Sequence, residues 1–518
     1  MKISANADRE TLGKRPRAKV SRCLLIGLGC ALMTASGLAA APAASAVADI
    51  GDRLEIFVDR YLIDTMENTA LTIGQPRPEE VALTFENPWD GGMSAAYMTV
   101  IKDGSTYRLY YRGGTKTADG GIKFGSEVTC YAESNDGKKW VKPNLGLVPF
   151  EGSTANNIVL GPDPRRFNTN FTAMLDDRPG VPPGERYKGV GAGRRDEDGL
   201  LRFVSPDGIH WRIYSDEVIF SGYKLDSLNV VTWLPEEQCY AIYMRAWSEG
   251  GTPGIPKPRP AYRTIARAVS KDFKTWSTPV RMQFSGEARL SNLYSNATAP
   301  YFRAPHILIS LPHRVIGKEV VPRAELEAYG VFTRAIGGGI GDVLLMSSRD
   351  GTTYDRTFME GFVRPGMERG AWHARSLFAS MGVVPTGDGE MSFYVSTNYA
   401  LPSHHIRRYS LRTDGFASIL ALSTAGAVTT KPVRFTGEKL VLNYWTSAAG
   451  SIRVELLDQE GNLIPGYGAG DCRELVGNEL RRVVSWTGKN NVRDLVGKPV
   501  RLRFKMVDAD LYSMRFER

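Results

Sequence analysis

Cysteine, histidine and helix-forming signals are all scarce in this 518-residue chain, which carries five cysteines and six histidines. Cys23 and Cys30 fall in an apolar N-terminal run, and the other three, Cys130, Cys239 and Cys472, are an odd number set far apart. Disulfides are therefore not the scaffold, and the paired spacings of a zinc site are absent. An excess of one charge is missing too. Without residues 1–46 the chain has 58 basic and 54 acidic side chains, so its formal charge drops from +9 to +4. Those charges are interleaved rather than clustered, which leaves no nucleic-acid footprint. Beyond the N-terminal run the sequence offers no membrane span, and a hydrophobic fraction of 42% excludes a disordered chain. Helix signals reduce to one short segment, 322–329. No cofactor is expected.

What is present begins with an export signal. Lys14, Arg15, Arg17, Lys19 and Arg22 form a basic region, the apolar run extends from Cys23 to about Ala41, and Ala44-Ser45-Ala46 offers a small-residue cleavage site. This predicts a secreted or periplasmic protein that starts after Ala46, so residues 1–46 are set aside from the fold. The remainder is rich in turn formers and aromatics, with 54 glycines, 29 prolines and 10% aromatic residues over the whole chain, which is the composition of a β protein.

One phrase recurs along it: Ser134-Asn135-Asp136-Gly137 ending in Trp140, Ser205-Pro206-Asp207-Gly208 ending in Trp211, Ser270-Lys271-Asp272 ending in Trp276, and Ser348-Arg349-Asp350-Gly351 ending in Tyr354. A decayed fifth copy is Arg412-Thr413-Asp414-Gly415-Phe416, and the aspartates stand 71, 65, 78 and 64 residues apart. That period suits a four-stranded sheet with its loops, so five copies predict a five-bladed β-propeller over 47–424. Asp-Gly supplies the positive φ of a tight turn, and the following aromatic plugs the gap between neighbouring sheets, which makes the motif structural. Strand alternation is plainest at 97–101, 107–112 and 127–133, then at 187–192, 229–234, 240–245, 264–269 and 391–396. Past 425 the repeat stops. Alternating segments at 440–444, 451–457, 481–486 and 500–505 predict a small antiparallel β-sandwich over 425–518. The fold class is therefore all-β, a five-bladed propeller followed by a sandwich.

In a propeller the starts of the innermost strands converge on one end of the central channel, and polar residues there form the pocket. Asp90, Tyr97, Asn170, Asp226, Tyr294, Asn296, His373 and Arg375 qualify by position, with Arg112, Glu127, Arg245, Arg303 and His306 on or beside the following strands. Cleaving a glycosidic bond needs two carboxyl groups, one protonated and one ionised. Asp90, Glu127, Asp226 and Glu287 are the acids on offer, and Trp89, Tyr97, Trp233 and Trp372 are candidates to stack on sugar rings. Plain structural roles stand beside these. Asp90 caps a turn with Gly91-Gly92, Glu127 pairs with Arg112 across strands, Asp226 serves a turn, Arg303 and His306 form a buried polar pair, Glu287 is solvated, and Asp59 and Asp64 fix the strand that closes the ring.

The five repeats, together with Asp226-Ser227-Leu228-Asn229-Val230-Val231-Thr232-Trp233, resemble the five-bladed propeller glycoside hydrolases of the invertase/levanase and arabinanase/xylosidase superfamily. Phe57 to Asp64, Glu127 to Ser134, Tyr301-Phe302-Arg303-Ala304-Pro305-His306 and Leu442-Asn443-Tyr444 resemble a secreted bacterial subgroup with a C-terminal sandwich. The resemblance implies a carbohydrate substrate and matches Asp226 to the carboxylate that stabilises an oxocarbenium-like transition state. The superfamily's blade-one aspartate falls at Tyr97, so either Asp90 takes over from the preceding loop or Tyr97 is itself the nucleophile, assisted by an acid, and with the Glu-Cys-Pro acid motif absent Glu127 and Glu287 stand in for the general acid. A secreted glycoside hydrolase with Asp226, Asp90 and Glu127 as its acids is the leading expectation. Arg112, Asn170, Arg245, Asn296, Arg303, His306, His373 and Tyr97 would bind substrate. A non-catalytic carbohydrate-binding propeller, a lyase acting on uronic acids and a structural envelope protein are the alternatives.

Overall fold

The computed structural model describes residues 46–518 apart from 164, 166, 194–197, 251–260, 287–288 and 332–337, so the expected signal segment up to Ser45, and Glu287, lie outside the described residues. Five antiparallel meanders follow one another along the chain. The first runs Thr99–Asp103, Thr106–Gly113, Val128–Ser134 and Ile158–Leu160. The second runs Thr172–Leu175, Tyr187–Ala192, Leu200–Ser205 and Arg212–Ile219. The third has Val230–Leu234, Cys239–Trp247, Arg263–Ser270 and Val280–Arg281. The fourth has Ala299–Tyr301, Ala304–Ser310 and Met346–Ser348. The fifth has Leu377–Ala379, Glu390–Thr397 and His405–Arg412, and its outer strand is Arg77–Leu83 from the other end of the chain.

The recurring phrase is what joins sheet to sheet. In each of the first four copies one aspartate oxygen accepts two backbone N–H groups, as Asp207 does from Ile209 at 2.9 Å and His210 at 2.8 Å. That fixes the turn, and Gly137, Gly208 and Gly351 take positive φ in it. The turn then presents an acceptor to the sheet before it. Tyr110 donates to the Gly208 carbonyl at 2.7 Å, Arg202 to Phe273 at 3.2 Å, Tyr243 to Gly351 at 3.1 Å and Tyr301 to the Asp414 carboxylate at 2.7 Å, while Tyr394 of the fifth sheet donates to Gly137 of the first. The five links close a ring. The aromatic of each phrase lies beside the link: Trp140 meets Tyr394 edge-on at 5.4 Å and Trp211 meets Tyr110 at 5.8 Å.

The C-terminal sheet is built on two long strands, Lys439–Leu457 and Arg501–Glu517. The sequence suggests two short strands, 440–444 and 451–457, in the first place and one, 500–505, in the second. The structure fuses the first two and lengthens the third, because a bulge between Thr446 and Ser451 bends the chain without ending the ladder, and Gly450 there admits the Asp508 carbonyl, which would lie 2.1 Å from an added Cβ. Residues from the start of the described chain complete this sheet: Glu55–Ile56 pairs with Arg501–Glu517, Ile63–Glu67 with Gly426–Thr430, and Thr69–Ile73 with Ala417–Ala421. Phe57 and Leu62 are buried in its core with Phe435 and Phe516, whose rings stack at 3.6 Å. The segment 57–64 thus joins the C-terminal sheet, and the ring is closed by Arg77–Leu83 instead. The polar reason is visible in that strand, where Arg408 pairs with Glu80 at 2.7 Å.

Candidate active site

Two positions before the innermost strands, at the end of the ring where those strands begin, stand Tyr97, Asn170, Leu228, Ala297 and Arg375, of which all but Arg375 are buried. Tyr97, Asn170 and Ala297 are left-handed, with φ of 59°, 57° and 46°. For a tyrosine this conformation costs on the order of 1–3 kcal/mol, and strain of that kind persists where the surroundings enforce it. At Tyr97 the surroundings are Phe378, whose ring centroid is 5.4 Å away, and the Arg112 guanidinium 5.0 Å from the ring.

Arg112 on strand Thr106–Gly113 organises this mouth. It donates to the Ser94 carbonyl at 2.6 Å, to Asn170 Oδ1 at 3.2 Å and to the Tyr399 hydroxyl at 3.3 Å. Asn170 passes the connection on, its Nδ2 donating to Asp226 at 2.9 Å. The loop carrying Asp226 is held by Asn229, which donates to the carbonyls of Leu225 at 2.7 Å and Ser227 at 3.0 Å. One continuous chain therefore runs Asp226, Asn170, Arg112, Tyr399, with Tyr97 under the guanidinium. Burial, followed by the nearby Tyr294 and the Asp226 charge, pushes the Tyr97 phenol well above its usual range despite Arg112, so it is uncharged at neutral pH.

A second group faces the same aromatic floor. Tyr294 lies 5.8 Å from Phe378, and the guanidinium groups of Arg263 and Arg375 stand 5.1 and 5.7 Å from the Tyr294 ring. His373 positions Arg375 by accepting its backbone N–H at 3.3 Å while its other nitrogen bonds the Tyr399 carbonyl at 3.1 Å. Burial pulls the pKa of His373 down to about 4, as it does for His313 beneath it, so both imidazoles act as neutral spacers.

The structure thus brings Asp226, Tyr97, Arg112 and Asn170 together at the mouth, with His373 supporting them. Arg245 stands nearby, but its guanidinium is committed to the Lys224 carbonyl at 2.7 Å. The other proposed site residues are placed elsewhere. Asp90 is fully buried, and both its carboxylate oxygens are spent, on Lys142 at 2.6 Å, the Tyr111 hydroxyl at 2.7 Å and the Asn87 N–H at 2.9 Å, inside the first sheet. Glu127 is buried too, accepting the Gly125 N–H at 2.7 Å, and Arg112 spends its guanidinium on the mouth rather than on Glu127. Asn296 is buried among the carbonyls of Leu228 and Tyr243, at 3.2 and 3.1 Å. Arg303 and His306 lie where the fourth sheet meets the C-terminal sheet: Arg303 pairs with Asp414, and His306 with Glu55 at 3.2 Å. Their distance from the mouth follows from strand direction, since they flank the far end of the inner hairpin. Trp233 is covered by Arg178, 3.2 Å above its ring, which leaves that face closed to a sugar. Arg263 and Tyr399 were not legible in advance. The only signal for Arg263 is its place at the start of a third strand, the position Glu127 precedes in the first sheet.

The fold itself defines a class, an all-β chain of propeller type with a C-terminal sheet. No family model matches the sequence, and no curated protein matches it. Among solved structures it is similar to an N-acetylgalactosamine deacetylase from F. plautii in complex with blood group B trisaccharide, with TM-score 0.42 and 13% identity over 67% of this chain and 96% of the other. A beta-1,2-mannobiose phosphorylase from Listeria innocua gives TM-score 0.43 and 10% identity over 66% and 97% of the two chains. A glycoside hydrolase family 43 arabinoxylan arabinofuranohydrolase from Bacillus subtilis gives 0.39 and 11% over 86% and 99%.

Proposed function

We propose that this protein cleaves glycosidic bonds at the mouth of a five-bladed propeller, with Asp226 and Tyr97 as the reacting pair. The observation that supports the reading is the hydrogen-bonded run from the half-buried Asp226 through Asn170 to Arg112, which brings a carboxylate and a cation beside a buried, uncharged phenol among aromatic rings. Glycoside cleavage develops positive charge at the anomeric carbon and requires an oxygen nucleophile and a proton carrier, which paired carboxyls share in most hydrolases. Here the Tyr97 oxygen attacks the anomeric carbon as Asp226 takes the phenolic proton; the glycosidic C–O bond breaks, the leaving oxygen receives that proton from Asp226, and water, deprotonated by Asp226, then displaces tyrosine to release the sugar. Arg112 lies where a developing phenolate would be stabilised.

The test is release of sugar from a panel of polysaccharides and aryl glycosides. Asp226→Asn and Tyr97→Phe are each expected to lower the rate at least about a hundredfold with the fold intact. Equal rates in wild type and both variants, or no release from any substrate, would remove the proposal. Export is part of the same reading, on the strength of the basic and apolar segments before Ala46. Expression in a bacterial host should yield an extracytoplasmic protein whose N-terminus is Val47, and retention of an intact N-terminus in the cytoplasm would contradict it.

A further inference from the structure

The mouth holds two guanidinium groups that no acceptor touches among the described residues, although the Asp226 charge reaches Arg375. Elsewhere an enclosed arginine is given oxygen to hold: Arg349 has Glu55 at 2.6 Å and Asp59 at 2.7 Å, Arg408 has Glu80 at 2.7 Å, and Arg112 has Ser94 and Asn170. Arg263 and Arg375 are treated differently. Both guanidinium groups lie against the Tyr294 ring, and among the described residues neither donates a hydrogen bond or forms an ion pair. The Nε of Arg263 is buried with no acceptor at all. Burial, and then repulsion from Arg245 and Arg375, outweigh the help of Tyr294 and pull the Arg263 pKa below its usual value. Two half-enclosed cations beside one ring are costly unless an anion completes the group.

Tyr97 points the same way. A carboxylate at the start of the first inner strand would repel an anionic ligand, whereas an uncharged phenol does not. We propose that the mouth takes a sugar bearing an anionic substituent, a carboxylate or a sulfate ester, clamped by Arg263 and Arg375 beside Tyr294. The proposal rests on the reading of this mouth as a carbohydrate site, and it holds for binding whether or not the bond is cleaved.

The experiment presents the full-length protein to an array of neutral, uronate-bearing and sulfated oligosaccharides, with calorimetric affinities for those retained at low and high salt. Acidic glycans are expected to bind at least about tenfold more tightly than their neutral counterparts and to weaken with salt. Arg375→Met and Arg263→Met should each weaken that binding about ten- to a hundredfold. Arg375→Lys keeps the charge, loses the forked geometry and should fall between, and it carries the test if the methionine variants do not fold. Preference for the uronate arm or the sulfated arm names the anion. Neutral glycans bound as tightly as acidic ones, no acidic glycan retained, or unchanged affinity in the folded variants would overturn the inference. Asp226→Asn separates the two proposals: arginine-dependent binding of acidic glycans without turnover in any protein sinks cleavage alone, and Asp226-dependent cleavage of neutral glycans indifferent to Arg375 sinks the anionic clamp alone.

Discussion

Lys142 is the residue on which the interior of the first sheet depends, because it is the cation bonded to the buried Asp90. Removing one member of a buried pair leaves the other uncompensated, so Lys142→Met should cost about 3–5 kcal/mol, read as a lower urea midpoint, and adding Asp90→Asn should recover part of the loss. An unchanged midpoint would mean that the pair is not closed to water. Gly191 shows a different constraint, since an added Cβ would sit 1.6 Å from the Phe167 carbonyl. At this scale the neighbourhood of Tyr97, Asn170 and Asp226 was legible from their places ahead of the inner strands, and Arg112 from its place on the strand that follows. Asp90 misled because turn position carries no information on burial, and Lys142, its partner, is 52 residues away.

Among the elements, the turn phrase is the one that pattern alone made visible. Asp207→Ala removes an acceptor shared by two backbone N–H groups and should cost about 1–2 kcal/mol. Tyr110→Phe breaks the link to the second sheet, but the Gly208 carbonyl keeps the Trp211 indole N–H at 3.0 Å, so the expected cost is nearer 1 kcal/mol. Chemical denaturation of the two variants checks this order. Inner and middle strands were legible because alternation and Asp-Gly turns agree locally. The closing strand was not: Arg77–Leu83 is half exposed and holds Pro78, and what makes it a strand is a partner beyond residue 400. The long C-terminal strands were broken too early for the reverse reason, since a bulge looks like a turn until its neighbour is known.

For the whole molecule, acid should be more damaging than the near-neutral charge suggests. Burial pulls His313 and His373 down to about 4 and His404 to about 3 from 6.5, so the folded chain refuses protons that the unfolded chain accepts. With the unfolded state binding more protons, stability falls as pH falls from 6.5 towards 4. Burial raises the Glu55 carboxyl, but His306 and Arg349 hold it down to about 2, so its contribution is present above 4.5 and lost between 4.5 and 2. Urea midpoints measured across both windows should decline throughout, and a flat profile above pH 4.5 would show that the imidazoles are solvated.

The seam has a consequence for biosynthesis. Leu83 waits for Ile406, and Glu55 for Met514, so the early part of a growing polypeptide finds its neighbours only after those distant residues have been made. Closure of both sheets is therefore a late step of folding, set by pairings of very large sequence separation. A stop codon anywhere in the final strand would leave the front of the molecule as open as the back.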